Sequence, residues 1–114
     1  MEIKIIKDAI SKDELKKIAE IRFGDMVKAV VDIKKEIIAI GGDLHADEER
    51  ILLEEGSEQE NLWGVNLRMD KSEEEFVEFD SMINVRPSQN NKSRGVESMK
   101  IQRKIRGIIG KLIL

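Results

Sequence analysis

With 114 residues, of which 40% are hydrophobic and 38% charged, the chain has the length and apolar content of one domain around one core. It contains no cysteine and a single histidine, which excludes a disulfide scaffold, thiolate chemistry and any site needing two imidazoles from one chain. No apolar run reaches the roughly 20 residues of a membrane span, and Met1-Glu-Ile-Lys lacks the layout of a signal peptide, so the expectation is a cytoplasmic protein without membrane contact.

The net charge of −3 is unevenly spread. Residues 1–42 carry nine Lys/Arg and eight Asp/Glu (+1), residues 43–80 three and fourteen (−11), and residues 81–114 eight and one (+7). Such asymmetry marks either a binding segment or opposite faces that neutralise one another in the fold or between subunits. Abundant Ile, Glu and Lys also follow the compositional trend of heat-adapted proteins.

In chain order, Ile3-Lys4-Ile5 alternates with the period of a strand. Ser11-Lys12-Asp13-Glu14 forms a capping box, with Ile10 and Leu15 placed as a hydrophobic staple, and the helix it opens runs to Arg22 with Gly24 as its left-handed stop. Met26–Ile33 is rich in β-branched residues, with Val27, Ala29, Val31 and Ile33 on one face and Lys28, Val30 and Asp32 on the other. A turn at Lys34–Glu36 leads to a return strand over Glu36–Ile40, which Gly41-Gly42 interrupts. Asp47–Glu55 reads as a short helix with acids in its first turn.

Asn61–Met69 alternates again, with Trp63, Val65, Leu67 and Met69 facing one way. Glu75–Arg86 is the longest strand expected, ended by Pro87, which cannot donate to a ladder. Pro87–Gly95 reads as a flexible polar loop. A final helix over Glu97–Leu112 sets Ile101, Ile105, Ile108, Ile109 and Leu112 at helical spacing. The order β-α-β-β-α-β-β-α predicts a two-layer α+β domain: a mostly antiparallel sheet of four to five strands with the helices on one face. The other face would carry Lys28, Asp32, Asn66, Arg68, Asp80, Asn84 and Arg86.

Three segments carry chemistry. In the first, Gly41-Gly42-Asp43-Leu44-His45-Ala46-Asp47-Glu48, the carboxylates of Asp43, Asp47 and Glu48 and the His45 imidazole are the donors of a divalent-metal site. Strand, glycine and Asp-x-His superficially resembles the first metal motif of the calcineurin-like metallophosphoesterases, whose further histidine ligands this chain lacks. The simpler reading is that Asp47 and Glu48 complement a helix N-terminus while His45 satisfies a backbone group.

In the second, Asp80 to Gly95, Arg86, Arg94, Asn84 and Ser88 lie where a strand end passes into a helix N-terminus, which is equally a setting for a phosphate or carboxylate and a polar loop whose Arg residues pair with the acidic middle segment while its Ser and Asn close turns. Asn66 and Arg68 join them on the same expected sheet face. Asp80 and His45 are the available acid–base pair for a metal-assisted phosphoester hydrolase or nuclease. The third segment is the basic final helix with Lys100, Arg103, Lys104, Arg106 and Lys111, which reads first as a solvated face paired with acids and alternatively as a module binding protein or nucleic acid, the latter without aromatics for stacking. Its apolar end, Ile108 to Leu114, suits a homodimer core. The sequence implies no organic cofactor.

Three strings are quite specific together: Gly24-Asp-Met-Val-Lys-Ala-Val-Val-Asp-Ile, Ala39-Ile-Gly-Gly-Asp-Leu-His-Ala-Asp-Glu-Glu, and Glu78-Phe-Asp-Ser-Met-Ile-Asn-Val-Arg-Pro-Ser-Gln. With Asn61-Leu-Trp-Gly-Val-Asn between them, they resemble a small family of uncharacterised bacterial and archaeal proteins over Gly24–Val96. The resemblance implies no activity. It implies that the His45 turn and the Asp80–Arg94 segment belong to one pattern, which leaves open whether they meet in space.

Overall fold

The computed structural model of the chain describes residues 2–114. Its elements are β1 (Lys4–Ile6), α1 (Lys12–Arg22), β2 (Met26–Asp32), β3 (Ile37–Ile40), α2 (His45–Glu54), β4 (Leu62–Arg68), β5 (Val77–Glu78) and α3 (Met99–Leu112). Short 3-10 turns occupy Gln59–Asn61, Glu73–Glu75, Met82–Asn84 and Pro87–Gln89. The strands form one antiparallel sheet in the order β1-β3-β2-β4-β5. The expected α+β class and the expected order of strands and helices are therefore those of the folded chain.

Local chemistry explains most boundaries. The Ser11 hydroxyl accepts the Glu14 N–H at 3.1 Å and starts α1; Gly24, at φ 89°, donates to the Ala19 carbonyl at 2.6 Å and ends it. Asp32 closes the β2–β3 hairpin. One of its oxygens accepts from the Lys34 and Lys35 amides, each at 2.9 Å, and the other from the Ser57 hydroxyl at 2.6 Å. The Ser98 hydroxyl accepts the Ile101 N–H at 3.2 Å, so α3 starts two residues later than its acidic residue suggested.

The main core lies between the sheet and the helices α1 and α3. There Leu15, Ile18, Ile105, Ile109 and Leu112 meet Val27, Ala29, Val31, Trp63, Val65 and Leu67. The residue leading into α1 is clasped to the end of α3 as well: Ile10 donates to the Leu112 carbonyl at 2.8 Å, and Leu114 donates to the Ile10 carbonyl at 2.9 Å.

Two expectations need correction. Not all helices share one face, because α2 packs on the other, where Leu52 and Leu62 bury against Val30 and Ala39. The reason is visible in the register. Val30 lies opposite both Ala39 and Gly64, so the middle of the supposedly polar face is apolar and requires cover.

The second correction concerns Glu75–Arg86, where only Val77 and Glu78 pair with β4. Beyond them the fully buried Asn84 side chain does a strand's work: its Nδ2 donates to the carbonyls of Gly64 (2.9 Å) and Arg94 (3.0 Å), and its Oδ1 accepts the Gly64 N–H at 2.8 Å. Ser81, whose hydroxyl accepts the Ile83 N–H at 3.3 Å, starts the intervening 3-10 turn. Short polar side chains that satisfy backbone groups offer the chain an alternative to the ladder.

Candidate functional site

Past the apolar middle of the second face, the sheet ends in a polar row. Lys28 of β2 lies opposite Asn66 of β4, which lies opposite Glu78 of β5. The N-terminus of α2 is laid over this end, bringing His45 and Glu48 down onto it. Both are buried, His45 to 7% exposure and Glu48 completely.

His45 is the electrostatic centre. Its Nε2 lies 2.8 Å from the Val65 carbonyl, and since a carbonyl only accepts, Nε2 carries the proton and Nδ1 the lone pair. Burial pulls the imidazole below its ordinary pKa. The Val65 contact and the charge of Asp80 act upward, while Lys28 and Arg94 act downward. The His45 turn and the Asp80–Arg94 segment are thus within electrostatic reach of each other. His45 satisfies a backbone group, as the simpler reading of the first motif expects.

Glu48 accepts the Gly42 N–H at 3.0 Å through Oε2, and its Oε1 is buried without a partner. Burial pushes this carboxyl up to about 9, against the smaller downward pull of the Gly42 bond and of Lys28, so it is protonated at neutral pH. Gly42 permits the approach, because a Cβ there would stand 3.0 Å from Glu48 Cγ and 3.3 Å from Ile3 Cδ1.

At the outer side, Asn66 Nδ2 donates to Glu78 Oε1 at 2.8 Å and to the Asp80 carbonyl at 3.3 Å, leaving its own buried Oδ1 unpartnered. Arg68 Nη2 lies 3.0 Å from Glu78, and Arg94 Nε lies 2.7 Å from Asp80. The Asn66 hydrogen bond first, and Arg68 after it, hold Glu78 below the usual carboxylate range.

The remaining sequence candidates are engaged elsewhere. The Arg86 guanidinium stacks 4.2 Å from the Trp63 ring centre and donates to the carbonyls of Gln59 and Leu62. Burial lowers its pKa, yet guanidinium remains charged. Asn84 is consumed by the backbone of β4, and Ser88 is exposed in the 3-10 turn beyond Arg86.

The Pro87–Gly95 segment, expected as a flexible loop, is tied down by Asn91, whose Nδ2 bonds the carbonyls of Asn84, Ser93 and Gly95. Glu97 reinforces this, since its Oε2 accepts from Lys92 N and Ser93 N, both at 2.8 Å. These bonds keep the Glu97 carboxyl below its ordinary value.

The four donors of the first motif turn to different surroundings. Asp43 is exposed and pairs with Arg22 at 2.8 Å, His45 and Glu48 face the sheet, and Asp47 lies in the first turn of α2. Among the described residues no group of three or more His, Asp or Glu side chains is gathered as a cation would require. On α3, Lys100, Arg103 and Lys104 are exposed, and Lys111 lies 3.5 Å from Glu36. No helix of the described residues is long and apolar enough to cross a membrane.

Sequence reasoning placed Lys28 on this face but did not enlist it, and it overlooked Glu78 and the burial of Glu48. The signal for the first two was the shared alternation with Asn66. Nothing in the local sequence marks Glu48, whose burial is a property of how α2 docks.

These features define a small α+β domain whose five-stranded antiparallel sheet ends in a polar cluster beneath a helix N-terminus. The chain belongs to the family described as "Protein of unknown function (DUF5674)", whose model matches residues 4–112. That match extends on both sides of the Gly24–Val96 region carrying the resemblance. No curated protein and no solved structure matches the chain.

Proposed function

We propose that the polar end of the sheet binds a small anionic ligand, phosphate- or carboxylate-bearing, with Lys28 and Arg94 as the attracting cations and His45 Nδ1 as an acceptor for a ligand hydroxyl. The observation that carries this reading is the setting of His45: its one proton is spent on Val65, and its ring lies within the field of both cations. With His45 and Glu48 uncharged at neutral pH, the charged groups around them are Lys28, Arg68 and Arg94 against Glu78, Asp80 and Asp47. Lys28 has no carboxylate within ion-pair distance among the described residues, and its head lies 5.6 Å from the Phe23 ring centre. Asp80 and Arg94 are about half exposed, so a ligand can replace Asp80 on the guanidinium at little cost.

The single histidine makes the test direct, because the imidazole signals in an NMR spectrum belong to His45 alone. Titration with inorganic phosphate, and separately with acetate, at constant ionic strength should shift those signals saturably with at least one of the two. Lys28→Ala should abolish the shift. Imidazole signals unmoved by both anions would reject the reading.

A further inference from the structure

A second site lies on the opposite side of the sheet, in the groove between the start of α1 and the end of α3. We propose that this groove takes an anionic amphiphile, a carboxylate carried on an aliphatic stem. It goes beyond the His45 site and shares no residue with it.

The groove encloses about 490 Å³, within the range of small-molecule sites. Its floor is apolar: Met69, Phe76, Val77, Ile109 and Ile113. Its rim carries Lys12, Lys71 and Arg106 against one acid, Glu73. Among the described residues none of these three cations has a carboxylate within ion-pair distance.

Two of the cations are held by rings rather than by acids. Lys12 Nζ lies 5.6 Å from the centre of Phe76, and the Arg106 guanidinium lies 5.1 Å from that of Phe79 while reaching the Glu74 carbonyl at 3.5 Å. Cation–π contact positions a charge without neutralising it, so the rim keeps an attraction for an anion. An anionic head at the rim would neutralise that charge while its stem covers apolar floor, which a free inorganic ion would leave exposed to water.

Gly110 offers a way to fill the groove by substitution. It lines the groove near the end of the 14-residue helix α3, where glycine costs about 1 kcal/mol relative to alanine. A Cβ built there meets nothing within 4 Å, so no contact inside the protein demands glycine. A side chain added there would therefore enter open space beside the groove.

Sodium octanoate is the probe, titrated into the full chain by calorimetry and by amide NMR, with octyltrimethylammonium as the matched cation. Octanoate should bind saturably and move the amides of Lys12, Phe76 and Gly110, while the cation should not. Gly110→Leu fills the groove and also improves helix propensity, so it should fold at least as stably yet weaken octanoate about tenfold or more. Lys12→Glu, at an exposed helix start, should weaken it similarly. Equal binding of the cationic analogue, no octanoate binding, or full affinity in Gly110→Leu would overturn the proposal. Each of these results is independent of the His45 signals, so the two sites stand or fall separately.

Discussion

The buried Glu48 carboxyl makes stability depend on pH in an unusual direction. An unfolded chain releases this proton near the ordinary value of 4.5, whereas the folded protein holds it to about 9. Between those values the folded state binds the extra proton, so stability is highest below about pH 4.5 as far as this group is concerned and falls as pH rises. Each pH step in that window costs about 1.4 kcal/mol, which amounts to about 3 kcal/mol at pH 7. Glu48→Gln removes the titration while its amide oxygen can still accept the Gly42 N–H. The variant should therefore match the parent at pH 4.5 and exceed it progressively above, by up to about 3 kcal/mol at pH 7. For a domain of this length that corresponds to a gain in melting temperature of roughly 10 °C or more. Urea denaturation of both proteins at pH 5, 7 and 8.5 measures the difference directly. A constant difference across the three would refute the reasoning, because it would mean that Glu48 ionises at its ordinary pH with Lys28 compensating its charge.

Three further substitutions test the elements that position the site. Asn84→Ala strips the Gly64 amide and carbonyl of their buried partners and should cost about 2–4 kcal/mol in urea denaturation. Gly64→Ala would bring a Cβ to 2.6 Å from the Ser81 side chain, and the overpacking should cost about 1–3 kcal/mol by the same measurement. Arg86→Lys keeps the charge but loses the planar stack on Trp63 and the fork onto two carbonyls. It should cost about 1–2 kcal/mol and alter the fluorescence of Trp63, the chain's one tryptophan.

Asn84 and Arg86 show why a polar cluster in sequence need not be a ligand site. Both have ample hydrogen-bonding capacity, and the fold spends that capacity on its own backbone: β5 is two residues long, and β4 would otherwise present unpaired groups beside it. Glu97 is a parallel case, since the amides at Lys92 and Ser93 do bind an anion, which the chain itself supplies.

From the sequence by itself came the α+β class, the order of strands and helices, the caps at Ser11 and Gly24, and the apolar faces of β2, β4 and α3. These follow from periodicity and from side chains that act on their immediate neighbours, interactions spanning only a few residues. Only the tertiary structure decided that α2 covers the second face, that Glu48 is buried with its proton, that Lys28, His45, Asn66 and Glu78 share one end of the sheet, and that Arg86 and Asn84 are withdrawn from it. Each of those depends on which element docks where. Burial, the cost of charge and the demand of an unpaired backbone group are set by residues distant in the chain, and no local pattern reports them.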